Sequence, residues 1–209
     1  MDNKQELTTL IYKCPTAYSV ESCKKAINYF EQNIGYARPG TLGARKFLNN
    51  LELSILIESE KDFFNLGAAI KRGSNGFKKK YKLFDNDIDA WKLDTTFIKL
   101  SKWKPNNYYE KFHCETGPYI HNYPFNQPIC RIFSWIIYLN NIEHGGGTEF
   151  IYQNITTIPK AGDFYIWPSG SSHMHRGENA PFEKKYIITG HFIYEYEREY
   201  LSIHEMNLV

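Results

Sequence analysis

Cysteine is scarce in this chain of 209 residues: only Cys14, Cys23, Cys114 and Cys130 occur. No two stand at C-x-x-C spacing, so neither a zinc-ribbon nor a thioredoxin-like motif is present, and no disulfide framework can be read. The four are expected to be reduced thiols packed as small apolar side chains. Long apolar runs are also missing. None approaches the roughly 20 residues of a membrane helix, and no apolar core follows the polar opening Met1-Asp2-Asn3-Lys4-Gln5-Glu6. A cytoplasmic protein without a membrane partner is therefore expected. Charge of one sign is lacking too. A net charge of +2 and the want of a basic groove interleaved with aromatics weigh against a nucleic-acid partner. The run Lys78-Lys79-Lys80 reads as a solvated helix face. No repeat, low-complexity stretch or linker divides the chain, and its length suits one domain with a sizeable core.

Aromatic side chains are what the chain has in quantity, with 16 Tyr and 14 Phe. That suits a β-rich core with amphipathic ring positions. Residues 1–17 read as a leading strand or loop. Ser19 is a plausible N-cap for a helix carrying Val20, Cys23, Ile27, Phe30 and Ile34, with Gly35 as its stop. Residues 36–50 read as loop and Leu51–Ile55 as a short strand. A second helix is expected from about Ser59 to Leu83, with Phe63, Leu66, Ile70, Phe77, Tyr81 and Phe84 as its buried stripe and a break near Gly73 and Gly76. From Thr95 onward the pattern is of strands: Thr96–Leu100, Tyr108–Glu115, the apolar run Ile129–Leu139, Thr148–Tyr152, Asp163–Trp167 and Lys185–Tyr196. Many short strands punctuated by turns argue for a barrel or a two-sheet sandwich.

One stretch carries chemistry. In Glu110-Lys111-Phe112-His113-Cys114-Glu115, His113 and Glu115 are two apart, so on a strand they project from one face and Cys114 from the other. A third ligand is available in Ser171-Ser172-His173-Met174-His175-Arg176-Gly177, from either His173 or His175. Two histidines and a carboxylate with open positions make the facial triad suited to non-haem Fe(II). His121, His144, His191 and His204 have no carboxylate at matching spacing and read as structural or exposed. Lys185 opens an otherwise apolar strand, where an unpaired ammonium is costly and a ligand carboxylate would be its partner; Lys184 faces the other way.

These residues carry a resemblance. From Phe97 to Phe192 the chain resembles the 2-oxoglutarate/Fe(II)-dependent oxygenases of the prolyl-4-hydroxylase-like type, particularly the small phage and bacterial members. Beside the first-ligand segment beginning at Tyr109, the matching pieces are Arg131-Ile132-Phe133-Ser134-Trp135-Ile136-Ile137-Tyr138-Leu139-Asn140, Gly146-Gly147-Thr148-Glu149-Phe150, Pro159-Lys160-Ala161-Gly162-Asp163, Trp167-Pro168, His175-Arg176-Gly177 and Lys185-Tyr186-Ile187-Ile188-Thr189-Gly190.

The resemblance implies a double-stranded β-helix, a jelly-roll or cupin-like barrel, with supporting N-terminal helices. Residues 1–209 would form one oxygenase domain, with support in about 1–94 and the catalytic barrel in about 95–196. It implies Fe(II) on His113, Glu115 and His175, the last preferred over His173. 2-Oxoglutarate would be the cosubstrate, O2 the oxidant and ascorbate a stimulant. It implies Lys185 as partner of the 2-oxoglutarate C5 carboxylate. Ser134 stands where the family often has a Thr or Ser on the same carboxylate, and Trp103 where many members have a cosubstrate-binding Tyr. Tyr109 would line the pocket. Arg176 would contact substrate or brace the site by a salt bridge, while Thr148 and Glu149 would shape the mouth. Trp135 and Trp167 would be core or pocket wall. Glu115 replaces the usual Asp, and a carboxylate kept here argues against halogenation. The implied activity is hydroxylation of a prolyl or other peptide residue with release of succinate. Alternatives are hydroxylation of a free amino acid or small metabolite, and a cupin-like barrel that binds metal without oxidising anything. Substrate choice would lie in residues 36–50, 84–95 and 116–128, including Tyr119–Pro124 as a lid.

Overall fold

The computed structural model describes residues 9–42, 46–55, 63–82, 91–95, 98–116 and 131–194. Phe84, most of 84–95 and the stretch Tyr119–Pro124 lie outside them. Eleven strands are present among the described residues: β1 (Tyr12–Cys14), β2 (Arg38–Leu42), β3 (Lys46–Ile55), β4 (Trp91–Leu93), β5 (Ile98–Trp103), β6 (Arg131–Tyr138), β7 (Thr148–Phe150), β8 (Ile155–Thr156), β9 (Phe164–Pro168), β10 (His175–Gly177) and β11 (Lys185–Tyr194). The stretch 36–50, expected as loop, instead pairs with itself as the β2–β3 hairpin.

Among the described residues the expected closed barrel is not formed. A large antiparallel sheet runs β1-β9-β6-β11-β5-β3-β2, with β4 also on β11, and ends in two different edge strands. A second sheet, β10-β7-β8, is separate from it. Its strands span only three, three and two residues. Three such strands are too few to hydrogen-bond around to both edges of a sheet widened by N-terminal strands. Side chains join the two layers instead: Tyr138 on β6 meets Thr148 on β7 at 2.9 Å, and Trp167 on β9 meets Phe150 on β7 with ring centroids 5.2 Å apart.

The large sheet is covered on both faces, which is why its central strands read as continuous apolar runs. Alternation along each strand separates two cores. Phe133, Trp135 and Ile137 of β6, Phe164 and Ile166 of β9, and Tyr186 and Ile188 of β11 join the helices in one cluster. Ile136 and Tyr138, Tyr165 and Trp167, Ile187 and Trp103 face the small sheet in the other. The helix-side core gives stability, each fully buried large apolar side chain contributing roughly 1.5–3 kcal/mol. The small-sheet side carries the candidate site.

Helix α1 (Val20–Gln32) starts at Ser19, whose Oγ accepts the Ser22 N–H at 3.0 Å. Its buried stripe is Cys23, Ala26 and Phe30. Helix α2 (Leu66–Lys80) begins later than the sequence suggests. Phe63, Phe64 and Asn65 have φ of 47°, 59° and 68°, left-handed values that no right-handed helix can include. Gly73 and Gly76 do not break it; they let it come close. A Cβ on Gly73 would lie 2.3 Å from the Phe164 ring, and one on Gly76 would lie 2.1 Å from the Tyr12 hydroxyl. Gly73→Ala should therefore destabilise the protein by about 1–3 kcal/mol, although alanine is the better helix former. Gly67→Ala, with nothing within 4 Å of its new Cβ, should leave stability unchanged or slightly higher. Thermal denaturation followed by circular dichroism checks the contrast.

Candidate active site

His113 does not lie on a continuous strand, contrary to the sequence reading. It makes one isolated antiparallel bridge to His175, the first residue of β10. Each main chain donates to the other, His113 N to His175 O and His175 N to His113 O, both at 2.9 Å. The next turn is held by Ser169, whose carbonyl accepts from the N–H groups of Glu115 and Thr116 at 2.9 and 3.2 Å. These four backbone bonds bring two segments about 60 residues apart in sequence side by side. One ligand atom each from His113, Glu115 and His175 then lies within 4.8 Å of the others, the spacing of a set that could hold a single metal ion.

The local hydrogen bonds aim the imidazoles. Nδ1 of His113 lies 3.0 Å from the Lys111 carbonyl and Nδ1 of His175 lies 2.8 Å from the His173 carbonyl. Each Nδ1 donates its proton there, which leaves both Nε2 lone pairs for a metal. Burial, and then the neighbouring His113, lower the His175 pKa to about 4, so its ring is neutral at pH 7. For Glu115, enclosure alone would raise the pKa, but the polar contacts with His113 and His191 outweigh it and hold the carboxyl well below its ordinary value. A neutral imidazole and a carboxylate kept ionised are the protonation states that metal binding needs.

The alternative ligand His173 is turned away. It ends a short 3-10 turn, Ser171–His173. Its Nε2 reaches the Thr9 carbonyl at 2.8 Å and its Nδ1 meets Ser172 Oγ at 2.9 Å. It ties the N-terminal segment to the site loop.

A line of rings leads away from the histidines. Tyr109 lies 4.0 Å from His113 between ring centroids. Trp167 and Phe150 stand 5.1 and 5.5 Å from His175. Both belong to the second core cluster, which continues through Ile136, Tyr138 and Ile187 to Trp103. Opposite Trp103 in the β5–β11 register is Lys185. Its side chain is buried, its Nζ donates to Gly146 O at 3.0 Å, and no described carboxylate forms an ion pair with it. Burial, partly offset by Glu178, lowers its pKa to about 8. Holding the ammonium there costs on the order of 3 kcal/mol relative to water. Among the described residues the Trp103 indole Nε1 is buried without a hydrogen-bond partner. A buried cation lacking an anion beside an unused N–H donor is a cradle that a carboxylate group fits.

Of the other residues singled out from the sequence, one departs from its expected place. Ser134 does not approach Lys185: it pairs with His191, six residues along β11 and roughly 20 Å away at the strand rise. Its Oγ meets Ser169 Oγ at 2.7 Å, bracing the residue that anchors Glu115. Arg176 pairs across strands with Glu149 at 2.7 Å and stacks over Phe112 at 4.5 Å. Cys114 Sγ turns to the Thr116 carbonyl at 3.3 Å. Trp135 belongs to the helix-side core. Three residues, among them His191, were given no part in the site. Tyr138 has its hydroxyl shared with Thr148 and Thr157 at 2.9 and 2.6 Å, while Arg131 and His191 both reach Glu115. Alternation from Lys185 along β11 puts His191 on the site face, so that signal was present.

Residues 98–193 match the family profile described as 2OG-Fe(II) oxygenase superfamily. That match covers the stretch that holds His113, Glu115 and His175. No curated protein matches it. Among solved structures it is similar to the viral collagen prolyl hydroxylase of Paramecium Bursaria Chlorella virus-1 in complex with 2OG, with 15% identity, TM-score 0.63, and coverage of 90% of this chain and 97% of that one. A Pseudomonas putida prolyl-4-hydroxylase gives 15% identity, TM-score 0.60 and coverage of 90% and 95%. A Trichoplax adhaerens prolyl hydroxylase, in complex with a hypoxia inducible factor oxygen degradation domain peptide fragment, gives 12%, 0.64, and 90% and 84%. At these identities the likeness shows the fold alone. Among the described residues no helix is long and apolar enough to cross a membrane.

Calorimetric titration with Mn(II) under argon should show one site per chain. His175→Ala should abolish it, whereas His173→Ala should keep the affinity within a few-fold and lower the melting temperature.

Proposed function

We propose that this chain is a 2-oxoglutarate-dependent hydroxylase that acts on a prolyl or other residue of a peptide. Its carrying observation is the buried, carboxylate-free Lys185 at the far end of the ring-lined face that begins at the His113/Glu115/His175 cluster. A cupin-like metal barrel has no use for that cation. A five-carbon dicarboxylate, with one end near the metal and the other on Lys185, gives it one. The peptide substrate is suggested by the names of the similar structures, two prolyl hydroxylases and a collagen prolyl hydroxylase.

In this reading His113, Glu115 and His175 hold Fe(II), which supplies the activation of O2 that no protein side chain can provide. The chain's own residues bind, orient and exclude. Lys185 Nζ takes the C5 carboxylate of 2-oxoglutarate by a charge-assisted hydrogen bond, and the Trp103 N–H donates beside it. Trp167, Phe150 and Ile187 keep bulk water from the cosubstrate. Neutral His175 leaves its Nε2 lone pair committed to the metal. Tyr109, tilted against His113, walls the pocket, and the Arg176–Glu149 pair fixes β10 against β7.

With Fe(II), 2-oxoglutarate and ascorbate, a panel of proline-bearing peptides and free amino acids should yield succinate together with a +16 Da product from a peptide. A product formed only from free amino acids would sink the peptide assignment, and metal binding with no succinate from any substrate would favour the cupin-like reading. Lys185→Met should lose 2-oxoglutarate binding by at least a hundredfold. The same change should raise the melting temperature of the protein without ligand, because it removes a buried ammonium.

The pH dependence has a definite sign. Lys185 is charged below about pH 8 and must take up a proton to bind the dicarboxylate above it. The dissociation constant for 2-oxoglutarate should therefore be flat below pH 8 and rise up to tenfold per pH unit above it. Because the folded pKa is depressed, stability without ligand should increase as pH climbs from about 8 toward 10.5, where the unfolded chain still binds the proton and the folded chain does not.

A further inference from the structure

Glu115 reaches roughly 1.5 Å further than an aspartate would, and its two oxygens have different neighbours. Oε1 lies 3.4 Å from His113 Nε2, on the side of the proposed metal. Oε2 lies 3.0 Å from Arg131 Nη1 and 3.4 Å from His191 Nε2. Both donors come from neighbouring strands of the large sheet, and both residues are buried. Their convergence depends on a local irregularity. Along β6 and β11 the pairs His191↔Ser134 and Phe192↔Phe133 are followed by Ile193↔Arg131, so one extra residue, Ile132, is inserted in β6. In unbroken alternation Arg131 would share the helix-side face of Phe133. The inserted residue shifts the register and reverses its facing. Ile132 packs with Phe133 in the helix-side core, while Arg131 arrives on the site face beside His191.

We infer that Arg131 and His191, brought to one face by this bulge, form a clamp on Oε2 that sets the longer Glu115 side chain as a ligand through Oε1 alone. They are positioning residues and act through Glu115. The inference rests on the proposed metal site and deepens it. A carboxylate whose outer oxygen is fixed by two donors has lost the freedom to swing or to chelate through both oxygens, so the first contact with the metal is made by a pre-set atom.

The test is anaerobic metal affinity, measured with Mn(II) and Co(II) on the full chain, with melting temperature recorded for every variant. His191→Leu, which removes the donor, should weaken metal binding about 10- to 100-fold and alter the visible Co(II) spectrum. His191→Gln, which keeps an N–H donor, should restore most of the affinity. Glu115→Asp should be strongly impaired in the native background and much less so beside His191→Leu, since a shorter carboxylate cannot meet both the clamp and the metal. That non-additivity is the mark of the clamp; a merely structural His191 would give additive losses. Should His191→Leu fail to fold, the cycle of Arg131→Met, which removes the other donor, with Glu115→Asp decides in the same way. Native-like affinity in folded His191→Leu, or additive effects with Glu115→Asp, would overturn the clamp while leaving the metal site intact. Absence of metal binding by the native chain would overturn the site itself.

Discussion

The whole arrangement depends on one reciprocal pair of backbone hydrogen bonds, between His113 and His175. A single antiparallel bridge of this kind fixes the spacing of the two main chains and makes both side chains point the same way. The imidazole centroids then stand 4.5 Å apart without any side-chain contact having to enforce it. Glu115 follows because Ser169 holds its N–H and because Ser134 holds Ser169. The side-chain cluster is thus set by main-chain bonds to a sheet whose other face is filled by helices. A site built on such supports holds its geometry more tightly than one carried on loops alone.

At the other end of the same face the protein keeps a cost in place. An ammonium buried near Trp103 and the Gly146 carbonyl is less stable there than in water, and an apolar residue would serve the core better. Its retention makes sense when the stabilising partner arrives from outside. The positive φ of Gly146, +75°, belongs to the turn that turns its carbonyl to Lys185. The two ends differ in character: imidazoles with a carboxylate at one, a cation with no described carboxylate on it at the other. Rings and aliphatic side chains lie between them, which is the polarity a dicarboxylate with one metal-binding end would match.

Much of this was legible in the sequence, and for physical reasons. Ser19 announced a cap because its hydroxyl can replace a missing helical partner. The apolar run of β6 announced a strand buried on both sides. The H-x-E pair and a later histidine announced a cluster that could hold a metal ion, and the lysine in an apolar strand is buried there as an ammonium with no described carboxylate on it. Other features were hidden by rules that look two residues at a time. Strict alternation puts Arg131 on the wrong face, because a bulge is not written in residue types. Gly73 and Gly76 read as helix breakers, but tertiary contact with Phe164 and Tyr12 made them points of close approach. The residues after Tyr36 read as loop because of Pro39, Gly40 and Gly43, yet the edge position of β2 tolerates proline and glycine. The closed barrel was an expectation from resemblance; among the described residues a three-stranded small sheet and a widened large sheet share no strand ladder.

The most direct test of the account is an anaerobic spectroscopic titration of the Fe(II)-loaded protein with 2-oxoglutarate. A visible charge-transfer band that grows to saturation at one equivalent, and that fails to form when glutarate replaces the keto acid, is the expected result. A protein that takes up iron but shows no new absorption at any 2-oxoglutarate concentration would contradict it.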